Sequence, residues 1–212
     1  MTTYRRTRAV VPILILGTTL PAQRPTPARS TSAIEGVAQA RAERKLTERY
    51  DPFFRKYTKR FFGPAFDWHY FKAQGVAESG LKSTAVSWVG ARGVMQLMPS
   101  TYHEISSRRP EFQSIDDPEW NIAAGIMHDR YLWQFWSNQI PEDQRHRFMF
   151  ASYNAGEGTI HRALSAAQTQ LGTPVWEDVE RIAPSITRWR YLETLGYVRR
   201  IDSVYARWST PP

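Results

Sequence analysis

A mainly α-helical domain is what this sequence predicts, on three observations. Helix formers dominate, and runs of alternating β-branched residues are few. Helix punctuation recurs along the chain, with Asp67, Pro99 and Asp117-Pro118 at starts and Gly80 and Gly156 at stops. The length of 212 residues with 42% hydrophobic content suffices for one globular domain with a core and short extensions.

The elements follow in chain order. Residues 1–22 read as a signal peptide or N-terminal anchor. Arg5, Arg6 and Arg8 precede the apolar run Ala9–Leu20, which is too short to span a bilayer comfortably and contains Pro12. Cleavage after Ala22 or Ala28 is expected. Residues 23–49 form a linker and polar helix, the Pro-, Ser- and Thr-rich stretch 21–33 leading into a charged helix over 34–49. The catalytic-type domain is expected over 50–208, opening where Phe53, Phe54, Tyr57, Phe61 and Phe62 raise the aromatic content.

Asp67 caps a predicted helix over 68–78, in which Phe71, Gly75 and Glu78 share one face. Residues 82–98 are irregular or short-stranded, broken by Gly90 and Gly93, and Pro99 opens a short helix through Ser106. Asp117-Pro118 starts a helix through Trp136 whose buried face is Ile122, Ile126 and Trp133. Further helices are expected over 142–153, 158–170 and 186–208.

Composition narrows the function classes. With no cysteine, structural disulfides, thiolate zinc sites and an N-terminal lipid-modified cysteine are excluded. A net charge of +8 favours polyanionic partners: nucleic acid, anionic lipid or an acidic cell-wall polymer. The basic residues are spread along the chain without a zinc-finger, basic-zipper or RNA-recognition signature, so no nucleic-acid partner is expected. His69, His103, His128, His146 and His161 form no metal-ligand spacing, and no metal or cofactor is expected. There is no Gly-x-Ser-x-Gly elbow and no phosphate loop.

Glu78 carries the chemistry. It ends the apolar stripe of its helix, where the helix C-terminus disfavours a carboxylate. Trp88, Met95 and Met98 are expected to desolvate it, raising its pKa. A carboxylic acid kept protonated near neutral pH can donate to a glycosidic or ester oxygen. A two-carboxylate glycosidase needs a partner acid; Asp116, Asp117, Glu157 and Glu193 are the candidates, and spacing places none of them across from Glu78.

Five blocks in order give the chain a resemblance. They are Glu78-Ser79; Ser87 through Pro99 (SWVGARGVMQLMP); Asp117-Pro118-Glu119-Trp120-Asn121-Ile122; Ala151-Ser152-Tyr153-Asn154-Ala155-Gly156; and Glu193-Thr194-Leu195-Gly196-Tyr197-Val198. Together they resemble the lytic transglycosylases of the goose-type-lysozyme-like superfamily, glycoside hydrolase family 23, over residues 50–201. The segment YDPFFRKY and the Ala91-Arg92-Gly93 loop are similar to the membrane-bound F-type branch. That branch carries an upstream solute-binding-like domain, which residues 1–49 are too few to hold. Lys82-Ser83-Thr84 stands where members commonly have Asn-Pro, and Glu157 where proline is frequent.

The resemblance implies a lysozyme-like helical domain. It implies cleavage of the β-1,4 bond between N-acetylmuramic acid and N-acetylglucosamine in peptidoglycan, leaving 1,6-anhydro ends. Glu78 would be the single acid and base; Ser87, Met95, Gln96, Met98, Tyr153, Asn154, Glu193 and Tyr197 would line the substrate groove. The partners implied are peptidoglycan glycan strands and, through the N-terminus, the membrane; a monomer exported to the periplasm or cell envelope is expected. A hydrolytic muramidase of the goose type, or a cell-wall-remodelling accessory of a secretion or pilus apparatus, is the alternative.

Overall fold

The computed structural model describes residues 48–172 and 175–209. The expected targeting segment, the linker and the polar helix as far as residue 47 lie outside the described residues. Among the described residues eight α-helices follow one another: α1 Asp51–Phe62, α2 His69–Ser79, α3 Pro99–Ser107, α4 Pro118–Phe135, α5 Glu142–Ala155, α6 Glu157–Leu171, α7 Trp176–Ile182 and α8 Tyr191–Ser209. Among the described residues there are only two isolated antiparallel bridges, Val86 with Arg92 and Arg92 with Leu97. Both lie inside the segment expected to be irregular or short-stranded. No described helix is long and apolar enough to cross a membrane.

Helix α2 sits at the centre, packed on α1 and, more extensively, on α8; α4 bridges α1 and α5, and α5 in turn meets α6 and α8. Even charged and polar residues of α2, Lys72, Gln74 and Glu78, are buried with Phe71, Ala73 and Ala77. Lys72 is accommodated by an ion pair with Asp51 at 2.7 Å and by the rings of Trp68 and Trp208 on either side. Around this helix Phe54, Tyr57, Ile122, Ile126, Leu132, Trp136, Phe148 and Phe150 are fully buried. Each contributes about 1.5–3 kcal/mol of burial free energy.

The start of α4 follows its sequence signal, whereas α2 begins one residue later than expected and Asp67 is not its cap. The Asp117 carboxylate accepts from the backbone N–H groups of Glu119 and Trp120, so α4 is capped as expected. Asp67 accepts from the His69 N–H at 3.0 Å and pairs with its ring, while Trp68 holds the cap position. Gly80 ends α2 in the left-handed region at φ 63°.

Two helices were not anticipated. Helix α1 carries its signals openly, with Asp51-Pro52 at the start, Lys59 and Arg60 in the last turn and Gly63 after it. Helix α7 has seven residues, too few for periodicity to show. The final helix begins at Tyr191 rather than Ile186. A 3₁₀ turn over Ala183–Ser185, an extended Ile186 and a left-handed Arg188 at φ 59° block helix over that stretch.

Candidate active site

Glu78 projects from the last turn of α2 and is 6% exposed. Burial pushes its carboxyl up to about 8 from the ordinary 4.5, against the Tyr197 hydrogen bond and the Arg200 guanidinium, which both favour the charged form. The Tyr197 phenol donates to Glu78 Oε1 at 2.6 Å. With Oε1 engaged as an acceptor, the proton of the neutral acid belongs on Oε2. The group is therefore an acid held protonated at neutral pH beside a donor that stabilises its carboxylate once the proton has left.

One wall of the site is the loop over 85–98, tied down by short-range and α4 contacts. Ser79, next to Glu78, donates to Val94 O at 2.8 Å. Gln96 adopts a left-handed backbone at φ 45°, a strained choice for a non-glycine. Its side-chain amide holds that geometry by donating to Gly93 O and Ala85 O at 2.9 and 3.1 Å. Asn121 of α4 accepts from Met95 N and donates to Arg92 O and Ile115 O. Gly93, at φ 78°, is needed there: a Cβ would lie 2.4 Å from the Asn121 amide nitrogen. Gly125 leaves room for Met95, whose side chain would stand 2.8 Å from an added Cβ. Tyr153 of α5 closes the arrangement by donating to Met95 O at 2.8 Å.

The other wall is the first half of α8. Trp189 Nε1 donates to Thr194 Oγ1 at 3.0 Å, and Thr194 donates onward to Asn154 Oδ1 at 2.9 Å. This buried chain fixes α8 to the end of α5 and so aims Tyr197 at Glu78. Burial raises the Glu193 carboxyl, which pairs with the Arg190 guanidinium at 3.2 Å.

The expected lining residues divide into two kinds. Tyr197 contacts Glu78 directly, and burial with the nearby Glu78 charge pushes its phenol well above the usual range. Tyr153 is raised for the same two reasons, so its phenol stays protonated beside the acid. Ser87, Met98, Glu193 and Tyr197 are partly accessible. Met95, Gln96, Tyr153 and Asn154 are at most 6% exposed, so here they shape the walls from beneath. Trp88 does not desolvate Glu78: it is 76% exposed at the tip of its turn.

Each of the four second-carboxyl candidates has another partner or place. Asp116 is exposed and pairs with Arg92, Asp117 is a cap, Glu193 is held by Arg190, and Glu157 opens α6. A further buried carboxyl, outside those four candidates, is Asp129 of α4. Asp129 is 0% exposed and receives a 3.3 Å hydrogen bond from Gln74, one turn before Glu78 on α2. Burial raises its carboxyl well above the ordinary range, and the Glu78 charge raises it further. Its Oδ2 and the Gln74 side-chain Oε1 have no hydrogen-bond partner, so the single Gln74 bond is all that offsets the burial of a charge there. An acidic residue three positions after Ile126 on the buried face of α4 was the available signal. Among the described residues no group of three or more His, Asp or Glu could hold a metal ion.

Fold and site together define a mainly helical, lysozyme-like domain with one buried acid, Glu78, set between a tied loop and the start of α8. Residues 63–174 match the transglycosylase SLT domain, and the chain belongs to that family. It is 32% identical over 151 residues to the membrane-bound lytic murein transglycosylase F of Yersinia enterocolitica, covering 70% of this chain and 30% of that protein. To the protein of the same description from Shewanella pealeana it is 29% identical over 160 residues, covering 74% and 31%.

The crystal structure of the 70 kDa soluble lytic transglycosylase SLT70 from Escherichia coli superposes with a TM-score of 0.57 at 27% identity. The match covers 77% of this chain and 25% of that one. The complex of the 70 kDa soluble lytic transglycosylase with bulgecin A matches at a TM-score of 0.60 and 27% identity, covering 84% and 27%. The chain thus spans about a third of the length of these curated relatives and about a quarter of these solved chains.

Proposed function

We propose that this chain is a peptidoglycan lytic transglycosylase that cuts the β-1,4 bond between N-acetylmuramic acid and N-acetylglucosamine. The observation that carries the reading is Glu78, a buried acid raised to about 8 with Tyr197 bonded to one carboxyl oxygen. Its membership of the SLT family and its likeness to lytic murein transglycosylases support the same substrate.

In the first step Glu78 Oε2 gives its proton to the glycosidic oxygen as the bond to the muramoyl C1 breaks. The resulting carboxylate is stabilised by the Tyr197 hydrogen bond and by Arg200. The N-acetyl group of the substrate takes the place of a second carboxylate at C1. Glu78 then accepts the proton of the muramoyl C6 hydroxyl while its oxygen closes on C1, giving the 1,6-anhydro ring and restoring the neutral acid. The steps call on no cofactor.

The hydrolytic alternative needs a carboxylate that activates water across the sugar ring. Asp129 cannot serve, being fully buried out of reach of a water on the sugar face. An intramolecular hydroxyl also holds a large proximity advantage over water. An exported chain acting in the periplasm or cell envelope, with the +8 charge drawn to an acidic wall polymer, is part of the same proposal. Mass spectrometry of products from purified sacculi in heavy-oxygen water tests it. Anhydromuramoyl ends without solvent oxygen are expected; reducing ends carrying solvent oxygen would make the chain a muramidase.

A further inference from the structure

Trp88 is the most exposed large apolar side chain among the described residues, at 76%, and Val86 two positions earlier is 64% exposed. Large aromatics are ordinarily buried, so this indole forgoes the burial free energy that would otherwise explain its presence. The backbone beneath it is nonetheless fixed. Ser87 O accepts from Gly90 N at 2.9 Å, Ser87 N donates to Ala91 O at 2.9 Å, and Ala91 N donates to Ser87 Oγ at 2.9 Å. The bridges of Arg92 to Val86 and Leu97 close the base of the turn.

The turn therefore fixes by backbone hydrogen bonds where the indole is rooted, while the side chain itself stands in solvent. An aromatic side chain has only two torsions to fix when a ligand settles on it, so the entropy lost is small. Its flat face suits the C–H face of a pyranose, and its edge N–H can meet a hydroxyl. The same loop is bonded to the residue beside Glu78, through Ser79 to Val94 O, and Gln96 clamps its entry at Ala85. Trp88 and Glu78 are thus carried by one hydrogen-bonded stretch of chain, residues 78–97. The patch is two side chains wide. That is far below the roughly 800 Å² per partner that a stable protein interface buries, and it is of the size of one sugar ring.

We propose that Trp88 is a stacking platform that holds an N-acetylhexosamine ring of the glycan strand outside the pair of sugars flanking the cut. The proposal rests on the reading of Glu78 as the acid that cuts such strands, and the experiment separates the two. Soluble glycan-strand fragments of N-acetylglucosamine–N-acetylmuramic acid repeats are titrated by calorimetry into Glu78→Gln, with and without Trp88→Ala or Trp88→Phe. The alanine variant is expected to weaken binding of hexasaccharide about 3- to 10-fold, with phenylalanine recovering part of the loss.

In the active protein, Trp88→Ala should raise KM for the same strands by a similar factor while kcat holds, which a purely structural role would not produce. Its thermal midpoint should match the wild type, since the side chain is in solvent. If the wild type cuts strands but Trp88→Ala leaves hexasaccharide affinity unchanged, the platform is overturned and Glu78 stands. A wild type that cuts no strands overturns both. Loss of self-association or of binding to anionic phosphatidylglycerol vesicles in Trp88→Ala, at unchanged strand affinity, would reassign the indole to a second copy or a membrane and overturn the sugar platform.

Discussion

The two walls of the Glu78 site are held by different physics. The loop wall is fastened almost wholly by hydrogen bonds among residues 79–97 and by Asn121, many of them backbone to backbone. The α8 wall is fastened by side chains far apart in sequence: Tyr197 to Glu78 across 119 positions and Thr194 to Asn154 across 40. The loop wall is thus a rigid template, and the α8 wall is where the acid is tuned. Damage to the first should appear as lost stability, and damage to the second as a shifted pH profile.

Both walls converge on Glu78, and its removal has the largest effect. Glu78→Gln should lower turnover on sacculi by ~10²–10⁴ or more, since the amide cannot donate the proton. The same variant should be more stable. A carboxyl at about 8 in the fold and 4.5 unfolded makes the fold weaker by about 3 kcal/mol at pH 7. The sign is set by the raised folded value: below pH 4 both states are protonated and nothing is lost. As pH climbs from 4.5 to 8 the wild type loses stability that the glutamine variant keeps. Urea unfolding at pH 4 and pH 7 reads this directly, and equal midpoints for the two proteins at pH 7 would contradict it.

Gly93→Ala attacks the loop wall. Its φ of 78° and the 2.4 Å approach to Asn121 leave a methyl group no place. A loss of about 2–4 kcal/mol is expected in a denaturant titration, with activity falling because the Asn121 to Met95 bond is broken. A variant of wild-type stability would show that the loop is not the rigid template described. The α8 wall is probed more gently by Tyr197→Phe. Losing a hydrogen bond that favours the carboxylate should move the alkaline limb of the pH–rate profile to higher pH and reduce kcat about 10-fold. A limb that moves to lower pH would place the phenol on the neutral form instead.

The contrast between the walls also explains what could be read from the sequence. Asp117, Gly80, Gly90, Gly93 and Pro99 act through their own backbone neighbourhoods, so the loop and the α2 and α4 boundaries were legible. Glu78 stood out because it ends the stripe containing Phe71 and Gly75. The start of α8 was misplaced because Arg188 sits in a left-handed conformation that no local signal announces. Asp129 was missed because its significance is tertiary: only the folded arrangement brings it within hydrogen-bond reach of Gln74 on α2. Trp88 was misread as a desolvating neighbour, since composition says that an indole prefers burial but not which way a turn points it. The resemblance named the members of the α8 wall; spacing alone could not have joined Glu193 or Tyr197 to Glu78.

Proton donation by Glu78 requires one protonation state at neutral pH. Carbon-13 nuclear magnetic resonance of side-chain-labelled glutamate, with Glu78→Gln as the assignment control, measures it in the intact protein. A carboxyl carbon that keeps the protonated shift through pH 7 and titrates near pH 8 is expected for Glu78. A midpoint near 4.5 would mean that the acid is already ionised at neutral pH, and Glu78 would then have no proton to give.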